Sequence, residues 1–390
     1  MCLLFDIFHS GKVNYERNRA MKYLRATVKE FADFVKHKDM KIVLFGNGAV
    51  CKTFIPYVAS KLELTDRINF VIDNNQSKQG GTVFVNGKSI PVVGLDILKL
   101  LTKDYCILIT NGDFYSVVSQ LNGISDCEDT PCFIAAYMQL DREYDRKLNG
   151  VYKDSILPQI PKIIHYCWFS GNPMPDDIVK CVETWKEMCP DYEIICWNES
   201  NYDVKKNRYT MEAHAMKKWG YIPDIVRLEK LYECGGFYFD TDVRMIRNLE
   251  PLRYETAFCG RERAGHVNFG GGSGCVKGAP IIKQILDFRI NEPFDLGDDK
   301  FNSEASGYYE STPLMELGLE IEDKNQKLEG INIYASEFFS PYNYINGENI
   351  QNDNTFSIHC FNGSWTGEGN QLRKETREKY QEFKLKLEEI

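Results

Sequence analysis

The spacing of apolar side chains changes near residue 40. Before this point the apolar positions Met21, Leu24, Val28, Phe31 and Phe34 recur at helical spacing. This spacing predicts one amphipathic helix that ends at residue 38. From residue 41 onward the apolar positions form short continuous runs, which are typical of buried strands. We therefore expect an N-terminal helical segment over residues 1–38, followed by a sheet-containing domain.

Residues 39–138 alternate short apolar runs with helical patterns. KIVLF, INFVI, SIPVV, YCILI and CFIAAY are predicted strands, and segments such as DFYSVVSQL are predicted helices between some of them. Strands that alternate with helices form a parallel sheet covered on both faces. The sequence therefore predicts a smaller, Rossmann-like parallel α/β domain over residues 39–138.

The polar stretch over residues 139–159 predicts a linker to a second domain. After it, IPKIIHYC and DYEIICW are predicted strands, and DDIVKCVETWKEM between them is a predicted helix. The region that follows is rich in glycine, asparagine and aromatic residues, as expected where long loops shape a site. We place the second α/β domain at residues 160–369 and a C-terminal charged helix at residues 370–390.

Composition and charge narrow the classes of partner. The chain has 390 residues, 43% of them hydrophobic and 26% charged, which is typical of a globular protein. Its formal net charge of −9, without a cluster of Lys and Arg, makes a nucleic-acid partner unexpected. The apolar start MCLLFDIF carries Asp6 and no preceding positive region, so we expect no signal peptide. Thirteen cysteines without a C-x-x-C pair predict reduced thiols in a cytoplasmic protein.

The first candidate site is the glycine turn GNGAVC, which follows the first predicted strand. Gly46 and Gly48 would let a phosphate approach the backbone, and Asp73 follows the next strand, where a ribose-binding acid would lie. Cys51, however, stands where a dinucleotide fingerprint has its third glycine. A structural or regulatory nucleotide-like domain and a redox cofactor site both stay open, and we expect no catalytic use of NAD(P).

The second candidate site is GGFYFDTDV, a predicted strand that ends in two carboxylates. Residues i and i+2 of an extended segment share one side, so Asp240 and Asp242 can point together. Two such carboxylates repel each other unless a cation lies beside them, and Mn²⁺ and Mg²⁺ prefer oxygen ligands. Asp224 and Arg227 lie one turn apart on the preceding predicted helix and would face the same cleft. The pattern predicts a site for a metal-bound diphosphate.

Four blocks of sequence resemble those of DXD-containing sugar transferases. In order, the blocks are IPKIIHYCWFSG with the following helix and Trp185, PDIVRLEKLYECGGFYFDTDV, ASEFFSPY and SIHCFNGSW. This family includes capsular polysaccharide synthesis glycosyltransferases, the yeast mannosyltransferase that initiates the outer chain and, more distantly, the clostridial glucosylating toxins. The resemblance spans residues 160–366 and implies a GT-A fold, in which a Rossmann-like domain binds a nucleotide sugar and a divalent metal.

The resemblance also implies roles for single residues. The implied nucleotide-sugar-binding residues are Trp168, which would stack on the base, Asp224, Arg227, Tyr238 and Trp365. The implied metal ligands for Mn²⁺ or Mg²⁺ are Asp240, Asp242 and His359, and the implied catalytic residues are Asp240, Asp242 and Arg227. The family usually has Ser or Thr where this chain has Pro223, and the segment between the D-x-D and SIHCFNGSW fits only loosely.

The function implied is the metal-dependent transfer of a sugar from a nucleotide-diphosphate sugar, with a UDP-sugar as the expected donor. The acceptor would be a glycan or a lipid-linked saccharide, which is compatible with peripheral association with a membrane. Retention of configuration is expected. Two alternatives stay open, a regulatory protein that binds sugar nucleotides through its N-terminal domain and an NAD(P)-linked sugar-nucleotide oxidoreductase built on Gly46 and Gly48.

Overall fold

The computed structural model of the chain describes residues 21–124, 129–140, 150–362 and 369–389. Two large sheets, of eight and seven strands, organise these residues. The strands are β1 Lys22–Arg25, β2 Lys41–Phe45, β3 Ile68–Ile72, β4 Thr82–Val85, β5 Lys88–Val93, β6 Tyr105–Ile109, β7 Pro131–Ile134, β8 Ile163–Cys167, β9 Glu193–Trp197, β10 Gly236–Tyr238, β11 Val243–Met245, β12 Ala257–Arg261, β13 Val267–Cys275, β14 Asp295–Gly297, β15 Lys300–Phe301, β16 Gln326–Leu328, β17 Ile331–Tyr334, β18 Ser357–His359 and β19 Glu388–Glu389. The α-helices are α1 Val28–His37, α2 Ala49–Lys52, α3 Phe54–Lys61, α4 Phe114–Leu121, α5 Ala135–Leu140, α6 Asp176–Met188, α7 Arg208–Ala215, α8 Pro223–Cys234, α9 Pro280–Ile290, α10 Ser306–Met315, α11 Ser336–Phe339 and α12 Gly369–Lys384.

The first sheet has the strand order β19-β1-β7-β6-β2-β3-β5-β4. Its paired strands are parallel, apart from the β4–β5 hairpin. Alternate side chains of β2 enter different cores, with Ile42 and Leu44 on one face and Val43 and Phe45 on the other. Continuous apolar runs are expected for parallel strands covered on both faces. The parallel α/β architecture predicted for residues 39–138 is present, although CFIAAY continues from β7 into α5 at Ala135.

The N-terminal segment differs from the single helix that was predicted. Residues 1–20 lie outside the described residues, and Lys22–Arg25 form strand β1, so the helical prediction is wrong there. The helix begins at Val28 because Thr27 and Glu30 form a capping box, in which Thr27 Oγ1 accepts from Glu30 N at 3.2 Å and Thr27 N donates to Glu30 Oε2 at 2.8 Å. The apolar positions that the sequence analysis assigned to one helix are therefore divided between strand β1 and helix α1.

The C-terminal segment returns to the first sheet. The ring of Tyr380 in α12 is fully buried and stacks on that of Tyr137, with 4.5 Å between centroids. Phe383 packs edge-on against Tyr23 of β1. Residues 370–384 are helical as predicted, but Glu388–Glu389 form β19, which pairs in parallel with β1. The first sheet is therefore assembled from both ends of the chain.

The second sheet has the order β16-β17-β12-β13-β10-β8-β9 and mixes parallel with antiparallel pairs. The neighbouring strands β10 and β8 come from the predicted blocks GGFYFDTDV and IPKIIHYCWFSG. Phe237 and Tyr238 pack on opposite faces of the sheet. Helix α8 covers the Tyr238 face, and its residues from Asp224 to Leu231 are all buried. The chain is thus mixed α/β, as predicted, while the proposed domain limits stay a prediction.

Ion pairs and hydrogen bonds join the helices of the first sheet to the second half of the chain. Lys52 Nζ lies 2.6 Å from Glu304 Oε2, Tyr57 donates to Glu320 at 2.9 Å, and Thr53 Oγ1 lies 2.5 Å from His266 Nε2.

In the described part of the chain no helix is long and apolar enough to cross a membrane. None of the eleven cysteines in that part forms a disulfide.

Candidate active site

The carboxyl ends of two neighbouring strands define the candidate site. β8 and β10 are parallel, and Tyr238 lies opposite His165. The segments that carry Trp168 and Asp240 therefore leave the second sheet at the same edge. Trp168 is half-buried, and its Nε1 donates to the carbonyl of Asn172 at 2.7 Å. Tyr238 is buried below this edge, and its hydroxyl donates to Asp240 Oδ1 at 3.1 Å. Trp365 lies outside the described residues.

Arg227 is the central cation of the site. Its side chain is only 4% exposed and contacts three carboxylates, Asp224 at 2.9 Å, Glu310 at 3.2 Å and Asp240 at 3.4 Å. Burial alone would lower the pKa of Arg227, but the neighbouring carboxylates, Asp240 foremost, raise this pKa well above its usual value. Arg227 therefore remains charged and fixes the position of Asp240.

Asp224 is held by two arginines. Its Oδ1 accepts from Arg227, and its Oδ2 accepts from Arg289 Nη2 at 2.7 Å. The same Nη2 donates to the hydroxyl of Tyr209 at 2.8 Å. Since both oxygens are bonded to protein, Asp224 positions Arg227 in this structure, and its implied contact with ribose stays a prediction. Sequence reasoning missed Arg289, which lies in an otherwise ordinary amphipathic helix.

Glu310 is a second residue that sequence reasoning missed. Its Oε1 accepts from Arg227, and its Oε2 accepts from the backbone N–H of Phe269 at 2.9 Å. Burial raises the pKa of Glu310 to about 7, although Arg227 opposes the shift. Glu310 belongs to the segment SEASGYYESTP, where the resemblance is loose, and a single glutamate in a helical pattern carries no signal of its partner.

Gly270 provides the room in which Asp240 lies. A Cβ added at residue 270 would lie 2.0 Å from Asp240 Oδ2 and 3.0 Å from Arg227 Nη1. The backbone N–H of Asp240 donates to the carbonyl of Gly270 at 2.8 Å, so the two backbone segments are in direct contact. A side chain at residue 270 would displace the carboxylate. The glycine run in VNFGGGSGC was the available sequence signal for this close approach.

Asp242 is paired with His359. Strands β11 and β18 are antiparallel with Val243 opposite His359, which brings the imidazole Nε2 to 3.2 Å from Asp242 Oδ1. Asp242 Oδ2 accepts from the backbone N–H of Asn362 at 2.6 Å. Burial would lower the pKa of His359, but Asp242, through charge and hydrogen bond, outweighs it and raises this pKa to about 8. Burial likewise would raise the pKa of Asp242, but His359 and Asn362 lower it.

The two carboxylates of the D-x-D therefore each have a cationic partner within the protein. Arg227 lies beside Asp240 and His359 beside Asp242. The fold itself therefore supplies the cation that the sequence analysis expected beside each carboxylate. The case for a bound metal therefore depends on whether these residues fit an ion that also binds the substrate.

The residues at this edge fit a metal that shares its ligands with a substrate. Among the described residues, no group of three His, Cys, Asp or Glu side chains could hold a metal ion by itself. Mg²⁺ commonly uses only one or two carboxylates, together with substrate phosphates. Asp240 and Asp242 supply such oxygens, and the Asp240 side chain is 27% exposed. His359 points to Asp242 in this structure, and its implied role as a third metal ligand stays a prediction.

Residues 175–259 match the family model described as the glycosyltransferase sugar-binding region containing the DXD motif. The matched segment begins just before α6 and includes Arg227, Asp240 and Asp242. The chain is related to DXD-containing glycosyltransferases. The relationship predicted from the four blocks is therefore confirmed.

Curated relatives of this DXD-containing chain include two proteins of yeasts. Inositol phosphoceramide mannosyltransferase 3 of Schizosaccharomyces pombe is 28% identical over 152 residues, which are 36% of this chain and 41% of that protein. Mannosyl phosphorylinositol ceramide synthase CSH1 of Saccharomyces cerevisiae is 31% identical over 114 residues, 28% of this chain and 30% of that protein. The chain thus spans less than half the length of these relatives. Among solved structures, PaToxG glycosyltransferase matches with a TM-score of 0.35 and 18% identity, over 40% of this chain and 70% of that chain.

Proposed function

We propose that this chain is a metal-dependent glycosyltransferase of GT-A fold that transfers a hexose from a nucleotide-diphosphate sugar to an acceptor hydroxyl. The observation that carries the proposal is the placement of the Asp240 carboxylate beside Arg227, in the space that the missing side chain of Gly270 leaves for it, with the Asp242–His359 pair two residues further along. Oxygen ligands and a fixed cation at one strand edge suit a metal-bound diphosphate. The match of residues 175–259 to the sugar-binding family supports the same assignment.

The metal ligands, Arg227 and Trp168 would have different roles in the transfer. When bound, Mn²⁺ or Mg²⁺ would be held by Asp240 and Asp242 and would supply charge stabilisation to the departing diphosphate. Arg227, held by Asp224 and Glu310, is preorganised as a second positive charge at the same place. Preorganised charge lowers the barrier because the protein does not have to reorient during the reaction. Trp168 would stack on the base of the donor.

Retention of configuration by attack on the same face is part of the proposal. A double displacement needs a carboxylate that is free to attack the anomeric carbon. Asp224 and Glu310 are bonded to arginines, and Asp242 is bonded to His359. These pairings favour a route in which the acceptor hydroxyl itself attacks beside the leaving diphosphate.

The donor and the acceptor are proposed by class. The two yeast relatives carry a mannosyl group and a phosphoinositol ceramide in their names, which favours mannose as the first sugar to test and a glycan or lipid-linked saccharide as the acceptor. A UDP-sugar stays the first donor to test. Peripheral contact with a membrane would give access to a lipid-linked acceptor. A cytoplasmic location is part of the same proposal and agrees with the absence of disulfides among the described cysteines.

A panel of UDP- and GDP-sugars, incubated with the purified chain and Mn²⁺, tests this proposal. Release of the nucleotide diphosphate from one donor, abolished by EDTA, is the expected result. The variant Asp287→Asn serves as a matched control, because Asp287 is an exposed helical carboxylate that, among the described residues, pairs with the exposed Lys283. Equal release from every donor in the presence of EDTA would contradict the proposal.

A further inference from the structure

The first sheet has a crevice that the proposed transfer reaction does not use. The chain runs from β2 to β3 and β5 on one side of β2, and then returns to β6 on the other side. The strand order therefore reverses between β2 and β6. In open α/β sheets, ligands bind outside the carboxyl ends of the strands at such a reversal. We call the space between the loops over residues 46–48 and 110–112 the switch-point crevice.

Glycines shape both walls of the switch-point crevice. Gly46 has φ +120°, and a Cβ there would lie 2.9 Å from the backbone nitrogen of Asn111, so the two loops touch at this point. At Gly48 and Gly112, in contrast, an added Cβ would meet no atom within 4 Å. The two loops therefore touch at Gly46 and leave open space beside Gly48 and Gly112. An open approach to the backbone is what a phosphate group requires.

Asn47 supplies a buried acceptor at this place. Its side chain is buried, and the described residues give no hydrogen-bond partner to its Oδ1. Its backbone is fixed, since its N–H donates to Asp73 Oδ2 at 3.0 Å and its carbonyl accepts from Lys78 Nζ at 3.2 Å. A buried polar atom without a partner is rare in folded proteins and calls for an explanation. A ligand hydroxyl that donates to Asn47 would provide one.

Two observations distinguish this loop from a dinucleotide site. Each oxygen of Asp73 already accepts from one backbone N–H, that of Asn47 at 3.0 Å and that of Asn75 at 2.8 Å, so the acid that would bind ribose is engaged in holding its own loops. Cys51, at the third position of the fingerprint, is completely buried. Lys78, which is 40% exposed and 3.7 Å from Asp73, adds a positive charge beside the loop.

We propose that the switch-point crevice binds a phosphate ester that carries hydroxyl groups, at a site separate from the D-x-D. The phosphate would lie against the open glycine loops near Lys78, and a hydroxyl would donate to Asn47. Nucleoside monophosphates and sugar phosphates share this chemistry. The proposal does not depend on transfer activity at the second sheet.

Calorimetric titration of the full chain in EDTA tests this site, because EDTA removes the metal that a diphosphate needs at the D-x-D. Uridine monophosphate, glucose 1-phosphate and inorganic phosphate are titrated in parallel. We expect saturable binding of one ester, and the two ester titrations identify the nucleoside or the sugar as its source. Absence of ester binding, or binding of inorganic phosphate with the same affinity, would overturn the proposal.

Substitutions of the crevice glycines test whether the ester binds in the switch-point crevice. Gly48→Leu and Gly112→Leu fill the crevice without a strained backbone and should each weaken ester binding about tenfold or more, a loss of at least about 1.4 kcal/mol. Gly123→Leu, outside the crevice and with ordinary contacts, is the control and should bind as the parent does. Asp240→Asn should also bind normally. Binding that persists in both crevice variants, or disappears in Asp240→Asn, would show that the ester binds elsewhere.

Discussion

Asp242 and His359 form a nearly buried ion pair, with Oδ1 of the carboxylate 3.2 Å from Nε2 of the imidazole. Antiparallel pairing of β11 with β18 creates this contact between the D-x-D and the block SIHCFNGSW. The pair links the candidate site to the stability of the fold, because each partner compensates the charge of the other.

Breaking this pair should destabilise the chain in the absence of metal. Asp242→Asn leaves the imidazolium of His359 without its carboxylate, and His359→Gln leaves Asp242 without its cation. Each single variant should lose roughly 3 kcal/mol of the free energy of unfolding, as for other buried pairs from which one partner is removed. Denaturant unfolding in EDTA measures the loss. The double variant should lose less than the sum of the two, and strictly additive losses would mean that the pair does not form.

Gly270→Ala tests the room reserved for Asp240. The added Cβ would lie 2.0 Å from Asp240 Oδ2, so the carboxylate has to move away from its place beside Arg227. Because displacement of a catalytic group by about 1 Å costs on the order of a hundredfold in rate, Mn²⁺-dependent donor cleavage should fall by about that factor. Gly123→Ala is the matched control. Full activity of Gly270→Ala would remove Asp240 from the proposed site.

Trp168 is expected to stack on the base of the donor. Trp168→Ala should weaken donor binding by roughly 1–3 kcal/mol, the usual contribution of a base stacked on an aromatic ring. Trp168→Phe keeps a ring but loses the hydrogen bond to Asn172, and it should retain most of the affinity. Titration with a nucleotide diphosphate and Mn²⁺ compares the three proteins. Unchanged affinity in a folded Trp168→Ala protein would assign this tryptophan to packing alone.

Glu255 should make stability depend on pH. Burial raises the pKa of Glu255 to about 8, although hydrogen bonds from Tyr334 and Asn332 oppose the shift. The folded state therefore holds a proton that the unfolded state releases near its ordinary pKa of about 4.5. Its contribution is complete below that value and is lost as pH rises through about 8.

Denaturant unfolding at pH 5.5 and at pH 8.5 tests this prediction. The free energy of unfolding of the parent should fall between the two pH values, and that of Glu255→Gln should fall less. The exposed residue Glu193 provides the control variant Glu193→Gln, which should behave as the parent does. An equal fall in parent and Glu255→Gln would contradict a protonated Glu255.

Local patterns predicted the parts of the fold that depend on near neighbours. The runs at β2, β8 and β10 and the helix with Asp224 and Arg227 were predicted because their spacing identifies buried strands and a helix. The strand Lys22–Arg25 was missed, since it depends on β7 and on β19 at the other end of the chain. Arg289 and Glu310 were missed for the same reason, because their partners lie on helix α8, far away in sequence.

The proposed function depends on Asp240, which would hold a metal-bound diphosphate for sugar transfer. Its most direct test is the rate of nucleotide-diphosphate release from the preferred sugar donor with Mn²⁺, compared among the parent, Asp240→Asn and Asp287→Asn. We expect Mn²⁺-dependent release by the parent and Asp287→Asn, and a loss of at least about a hundredfold in a folded Asp240→Asn protein. Release by Asp240→Asn at the parent's rate, with the same dependence on Mn²⁺, would contradict the account.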